Sequence, residues 1–140
     1  MQLTRKQILS LNQAHRAFAQ TEDPKQPWKL GPKVRYSLLR NTKALHSAVE
    51  SIFAVQDALI REVSGGAETI APNTPEMAEY QKRWIEFIDG KEELKLFVVD
   101  IEALRLDENN INLALLADLG PVIVEPADVV PAPQDVPANP

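Results

Sequence analysis

The sequence has no cysteine and only two histidines among its 140 residues. Without thiols, a disulfide framework, a thiolate metal site and a cysteine nucleophile are all excluded, and a reducing compartment is compatible with the composition. The two histidines, His15 and His46, are far apart in the chain, and neither has other ligand types at metal-binding spacing. The sequence therefore predicts no metal site and no cofactor.

Long apolar runs and glycine-rich loops are also missing. No segment approaches the roughly 18 consecutive apolar residues that span a bilayer, and the first twenty residues lack the apolar core of a signal peptide. The pair Gly65 and Gly66 is not followed by the Gly-Lys-Ser/Thr of a phosphate-binding loop. No Ser/His/Asp spacing supports nucleophilic catalysis. We therefore predict a protein that is neither an enzyme nor associated with a membrane.

Charge, by contrast, is abundant and unevenly distributed. The net charge of −5 combines +7 over residues 1–43 with −12 over residues 44–140. Such asymmetry predicts an anion-binding N-terminal surface or charge-complementary packing with a partner or another subunit. Basic and acidic elements facing each other within one fold are the alternative. The candidate interaction surface consists of Lys33, Arg35, Arg40, Lys43, Arg5 and Lys6.

Three helices are predicted from their end signals. Thr4 and Gln7 form a capping box, so the first helix begins at Arg5, and it ends near Gln20. The second begins at Pro32 and continues without Gly or Pro to about Ser64, roughly 50 Å. A third begins after the N-cap Thr74 and ends before Gly90.

The second helix carries a heptad pattern, which predicts a long buried stripe. One seam comprises Leu38, Leu45, Ile52 and Leu59, the other comprises Val34, Asn41, Ala48 and Val55, and Leu39, Phe53 and Ile60 widen the stripe. Asn41 interrupts the apolar seam, and a single polar residue there can fix register or oligomeric state. Alternatively, Asn41 and Arg40 hydrogen-bond the backbone of the 21–31 loop or point partly to solvent.

In the C-terminal part, the spacing of apolar residues changes from a helical period to a partial alternation. Residues 94–100 and 122–124 are predicted as strands, and residues 111–119, after a turn and cap at 107–110, as a short helix. We therefore predict a mainly helical α+β fold, in which two shorter helices cover a long central helix beside a small strand–helix–strand part. One domain is predicted over 1–124.

Residues 125–140 form a distinct acidic, proline-rich segment. Its composition predicts an extended tail that is disordered on its own. Such a tail can wrap a neighbouring protein, or it can act only as a flexible solubilising extension. The candidate partner-binding residues are Val129, Val130, Pro131, Pro133, Val136 and Pro137.

Four segments, in this order, resemble a family of short bacteriophage proteins of unknown function: LTRKQILSLNQA, YSLLRNTKAL, EFIDGKEELKLFVVDIEAL and NINLALLADLGPVIV. The resemblance covers about residues 2–124 and leaves out the proline-rich tail. It implies a phage origin and a small helical accessory protein, located in the virion or the host cytoplasm. None of the family's motifs carries chemistry, so no catalytic or binding residue can be transferred.

These observations favour a non-enzymatic phage protein that works by protein–protein interaction, as a virion-associated or assembly subunit. Its expected partners are phage structural proteins or further copies of itself, since a heptad-bearing helix, segregated charge and a tail suit docking on repeated neighbours. The alternative is a host-directed binding protein, a defence antagonist that uses the basic N-terminal surface to bind an anionic ligand or a host protein. Nucleic acid is not expected, because no recognised nucleic-acid-binding pattern accompanies the basic residues.

Overall fold

A computed structural model describes residues 1–124, so the predicted tail and its six candidate residues lie outside the described residues. The helices and strands follow in the order β1 (Gln2–Thr4), α1 (Arg5–Thr21), α2 (Pro32–Ser64), α3 (Pro75–Ile88), β2 (Lys91–Glu93), β3 (Val99–Asp100), α4 (Leu113–Asp118) and β4 (Ile123–Val124). Short 3-10 turns occupy Ile101–Leu104 and Gly120–Val122. The prediction of a mainly helical α+β fold with a long second helix is confirmed.

Local signals set the start of α1 where the sequence predicts it. The Gln7 backbone N–H donates to Thr4 Oγ1 over 3.1 Å, and the Thr4 N–H donates to Gln7 Oε1 over 2.8 Å. This reciprocal pair satisfies donors that the first helical turn leaves without intrahelical acceptors. The predicted capping box is therefore present.

The ends of α2 also follow their sequence signals. Pro32 stands at the first position, and Gly65 and Gly66 follow Ser64 with positive φ angles of 76° and 105°. A left-handed conformation is readily adopted by glycine and ends the helical hydrogen-bond pattern. The Gly66 N–H donates back to the Arg61 carbonyl over 2.7 Å, which closes the last turn.

The start of α3 is confirmed as well, because the Thr74 hydroxyl accepts the Met77 N–H as a helix cap. Its apolar side chains are less enclosed than the sequence suggests. None of the residues of α3 is fully buried, and Ile85 is exposed. This helix therefore offers partly uncovered apolar surface.

The strand prediction over residues 94–100 is wrong for most of its length. Only Val99–Asp100 is paired, in parallel with Ile123–Val124, whereas Lys91–Glu93 pairs antiparallel with Gln2–Thr4. Residue 97 does not pair with a strand because its backbone is hydrogen-bonded to the side chain of Asn41 on α2. A polar side chain here takes the place of a neighbouring strand.

The short C-terminal helix starts later than predicted. Asn112 is its N-cap, with Oδ1 accepting the Ala114 N–H over 2.8 Å, so α4 begins at Leu113 rather than at Ile111. Asn is a favoured capping residue, and the predicted cap at 107–110 is therefore wrong. Val122 likewise belongs to a 3-10 turn rather than to the last strand.

The described residues group into two compact units, and one domain over 1–124 stays a prediction. The first unit combines Met1–Asn12 with Ala44–Leu94. Its buried apolar side chains are Leu3, Ile8, Leu11, Leu45, Val49 and Ile52. Because β1 pairs with β2, this unit joins residues from distant parts of the sequence.

The second unit combines Gln13–Lys43 with the described residues from Lys95 onward. Its buried apolar side chains are Ala14, Phe18, Trp28, Val99, Leu104, Ile111, Leu116, Leu119 and Val122. Phe18 and Trp28 stack at a tilt, with their ring centroids 4.4 Å apart.

The predicted heptad stripe is only partly buried. Leu45 and Ile52 are enclosed, but Leu39 and Phe53, predicted to widen the stripe, are 54% and 48% exposed, and Val55 is exposed too. A heptad pattern reports where apolar side chains lie on a helix; it does not report whether another element covers them. The uncovered positions are therefore available for contacts beyond those within each unit.

Candidate interaction surface

In the second unit, apolar side chains of α2 and of the segment before β3 are exposed. We call Tyr36, Leu39, Phe97 and Val98 the Tyr36 patch; their exposed fractions lie between 37% and 57%. The rings of Tyr36 and Phe97 have centroids 6.4 Å apart at 50°, and Leu39 lies one helical turn after Tyr36. Exposed clusters of large apolar side chains often mark sites of protein contact.

Asn41 is fully buried and is hydrogen-bonded to the backbone of Phe97, one of the residues of the Tyr36 patch. Its Nδ2 donates to the Phe97 carbonyl over 2.9 Å, and its Oδ1 accepts the Phe97 N–H over 2.7 Å. The two bonds satisfy both polar ends of the amide and fix the backbone that carries Phe97 and Val98. The predicted contact with the 21–31 loop is therefore wrong, because Asn41 bonds to residue 97. A role of Asn41 in oligomeric state stays a prediction.

Arg40 adds positive charge at the edge of the patch. Its guanidinium carbon lies 5.9 Å from the centroid of the Tyr36 ring, near the outer limit of a cation–π contact. Tyrosine, phenylalanine and arginine are the types enriched in protein interfaces. The patch thus combines these three residue types on one unit.

Arg35, another predicted surface residue, holds the loop before α2 instead of standing free. Its Nη2 donates to Glu22 Oε2 over 2.9 Å and to the Trp28 carbonyl over 2.7 Å. The Trp28 N–H in turn donates to Glu22 Oε2 over 2.6 Å. These bonds close a ring of three residues that joins the end of α1, the loop and the start of α2.

The same ring alters the ionisation of Glu22. The hydrogen bond from Arg35 is the main cause that lowers the pKa of the Glu22 carboxyl from its ordinary 4.5; partial burial opposes it, and the Trp28 N–H adds to it. Conversely, the hydrogen bond to Glu22 raises the pKa of Arg35. Both charges thus form an ion pair within the second unit.

A second loop contact, not predicted from sequence, comes from Asn109. Its Oδ1 accepts the Lys29 N–H over 2.7 Å, and its Nδ2 donates to the Leu104 carbonyl over 2.8 Å. Asn109 is 7% exposed, so these bonds satisfy a buried amide. In the sequence, the cluster of polar residues at 107–110 predicts a turn and a cap but not this contact.

The six predicted basic residues are divided between the two units. Arg5 and Lys6 belong to the first unit, whereas Lys33, Arg35, Arg40 and Lys43 belong to the second. Within the second unit all four of these residues are exposed, and Lys33 and Arg40 are one heptad apart on α2. Of these four exposed cations, Arg35 is the one that pairs with Glu22.

Arg5, like Arg35, has an internal role. Its Nε donates to Glu92 Oε2 over 2.7 Å and its Nη1 donates to the Phe87 carbonyl over 3.0 Å. The guanidinium carbon also lies 4.2 Å from the centroid of the Phe87 ring. Arg5 therefore joins the start of α1 to the end of α3 and to β2.

Residues 1–124 hold neither a cluster of metal-ligating side chains nor a helix that could span a membrane. Within this range, no group of three or more His, Asp or Glu side chains is placed to hold a metal ion. No helix in the described part of the chain combines the length and the apolar character needed to cross a membrane. Comparison with known protein families, curated proteins and solved structures finds no match.

Proposed function

We propose that this chain is a non-enzymatic bacteriophage accessory protein that docks on protein partners through the Tyr36 patch. The observation that supports this most directly is the exposure of Tyr36, Phe97 and Val98 on a backbone that Asn41 fixes. Burying such side chains against a partner contributes roughly 25 cal/mol per Å² of apolar surface removed from water. A surface rich in large apolar groups therefore favours protein docking.

Preorganisation strengthens this proposal. Binding costs free energy for each side chain and loop that becomes ordered, and a segment already fixed avoids part of that cost. Asn41 fixes the segment that carries Phe97, and Arg35 fixes the loop before α2. The part of α2 that carries Tyr36 and Leu39 is therefore hydrogen-bonded to the segment around Phe97 and to the loop before α2.

The biological setting of the proposal comes from the resemblance to short phage proteins. The proposed partners are phage structural proteins or further copies of this chain, and the proposed location is the virion or the host cytoplasm. A virion-associated or assembly subunit makes repeated contacts with identical neighbours, so even a small docking surface gains avidity there.

The test begins with phage particles. Mass spectrometry of purified intact particles should find this chain at stoichiometric abundance. Its absence from particles, with abundant protein in infected cells, would leave an assembly factor or a host-directed binder.

Docking is tested by matched substitutions. Tyr36→Ser with Val98→Ser should abolish co-purification with the partner, whereas Ile85→Ser, which changes an equally exposed residue on α3, should retain it. Equal retention by both variants would contradict docking through the Tyr36 patch.

The host-directed alternative is favoured by one observation, the exposure of three of the predicted cations on α2. In this proposal Lys33, Arg40 and Lys43 bind an anionic ligand or an acidic surface of a host protein. Such binding weakens steeply with salt, whereas apolar docking does not. Loss of binding in Arg40→Glu with Lys43→Glu, together with steep salt dependence, would favour the alternative over the Tyr36 patch.

A further inference from the structure

A shallow groove of about 320 Å³ lies in the second unit, between α2 and the β3 region. Its apolar walls include Val34, Val98, Ala103 and Val124. Val98 is 56% exposed, so the groove presents apolar surface to solvent. Three properties of the chain that follows Val124 suit it to cover this surface.

The first property is position. Val124 is both a lining residue of the groove and the last described residue, so residues 125–140 start at the groove itself. Val129 and Val130 follow within six positions, and a chain spans about 3.1 Å per residue in a polyproline conformation. That gives a reach of roughly 16–19 Å, more than the approximately 5 Å that α2 rises between Val34 and Ser37.

The second property is charge. Residues 125–140 carry three acidic residues, Glu125, Asp128 and Asp135, and no Lys or Arg. Lys33 lines the groove, and Arg40 is exposed one heptad further along α2. The groove also holds one carboxylate, that of Asp100, whose Oδ1 accepts the Glu102 N–H over 3.0 Å and which opposes part of the attraction between these cations and the acidic residues.

The third property is the tether. A short covalent link gives two sites an effective concentration on the order of millimolar, far above the concentration of separate chains in dilute solution. Pro126 and Pro131 flank the valines and reduce the conformational freedom that docking would remove. A weak apolar contact that fails between chains can therefore form within one chain.

We propose that the Val129–Val130 segment of the chain docks in this groove of its own molecule. In that position the valine side chains would contact Val34, Val98 and Ala103, and Lys33 would attract the acidic residues around them. Docking would cover Val98, which belongs to the Tyr36 patch, so a partner would have to displace the segment. The inference does not rest on the proposed function, because it concerns the isolated chain.

Because the sequence has no cysteine, a single introduced thiol can carry a spin label on the full chain. A nitroxide on Ala132→Cys should erase the NMR amide signals of Ser37, Val98 and Ala103 at low protein concentration. Adding Val129→Ser and Val130→Ser keeps the tether and removes the anchors, so these signals should return. Val136→Ser, a matched change beyond the segment, should leave them erased.

Equal loss of signal with and without the two anchoring valines would overturn the proposal, since the tether alone would then explain it. A mixed sample separates docking within one molecule from docking between molecules. It combines spin-labelled chains without NMR isotopes and isotope-labelled chains without the introduced cysteine. Signal loss on the isotope-labelled chains would show docking between molecules and would also overturn it. A failed search for phage partners leaves these spectra unchanged, so the two proposals fail separately.

Discussion

Asn41 holds both polar groups of the Phe97 backbone, donating to its carbonyl over 2.9 Å and accepting its N–H over 2.7 Å. One helical side chain thereby supplies the two hydrogen bonds that a neighbouring strand would otherwise supply. The arrangement explains why a polar residue occupies a fully buried heptad position.

Replacing Asn41 with leucine should destabilise the fold. The Phe97 N–H and carbonyl would lose their partners while leucine keeps the bulk, and an unsatisfied buried group costs about 1–3 kcal/mol. The free energy of unfolding, measured with a chemical denaturant, should fall by that amount. Molecular mass by light scattering should be recorded together with it, because a change would reveal the oligomeric role.

Asn110→Leu provides the matched control, since Asn110 is exposed in the same unit. It should change the free energy of unfolding by about 0.5 kcal/mol or less. If Asn41→Leu unfolds like the unmodified chain and keeps its mass, both the backbone role and the oligomeric role of Asn41 are wrong.

The contact between Arg35 and Glu22 should make stability depend on acid. Since the pKa of Glu22 is lower in the folded chain than its ordinary 4.5, the unfolded chain binds the proton first as pH falls. The stabilisation is therefore complete well above pH 4.5 and is lost as pH falls through the folded pKa. Chemical denaturation over a series of acidic pH values measures the loss.

Glu22→Gln should flatten that part of the pH profile, because glutamine does not titrate. The exposed Asp107→Asn, in the same unit, should leave the profile as it is. An identical acid dependence in Glu22→Gln and in the unmodified chain would show that another carboxylate is responsible.

Gly90 has no side chain, and the Arg5 guanidinium occupies the space that a Cβ atom at this position would take. A methyl group at residue 90 would overlap Arg5 Nη1 and lie 3.2 Å from the Phe87 carbonyl oxygen. Gly90→Ala should therefore displace Arg5 from Glu92 and from the Phe87 carbonyl and cost about 1–2 kcal/mol of unfolding free energy.

A double-mutant cycle with Arg5→Ala tests whether the cost of Gly90→Ala arises from the displacement of Arg5. Without the arginine, Gly90→Ala should be neutral or stabilise by about 0.4–1 kcal/mol, because alanine restricts the unfolded chain. Additive effects of the two substitutions would mean that Gly90 does not act through Arg5.

Arg35 and Arg40 should respond differently to charge reversal. Arg35→Glu places a carboxylate beside Glu22 and removes the bond to the Trp28 carbonyl, so it should cost about 1–3 kcal/mol. Arg40→Glu changes an exposed side chain and should cost about 0.5 kcal/mol or less. Thermal unfolding of the two variants distinguishes them, and equal losses would contradict the internal role of Arg35.

Helix ends could be predicted from sequence because their causes are local. The bonds between Thr4 and Gln7, the cap at Thr74 and the left-handed Gly65 each depend on residues within one helical turn. The predicted bounds of α2 are therefore the observed ones, Pro32–Ser64.

The candidate surface was less predictable because its causes are distant in the chain. Asn41 was singled out by its place in the heptad, but its partner Phe97 lies in a segment that the sequence assigned to a strand. Arg35 resembles the other cations in sequence, and only its closeness to Glu22 and Trp28 shows that it forms an intramolecular ion pair. Sequence patterns identify residue types, whereas pairing across loops requires coordinates.

The pairing of β1 with β2 has a consequence for the order of folding. Leu3 stands opposite Glu92, so the first strand meets its partner only after most of the described chain has emerged from the ribosome. Closing so large a loop carries an entropic cost that local contacts do not have. The helix that begins at Arg5 can therefore form early during synthesis, whereas β1 can pair only once Lys91–Glu93 has been made.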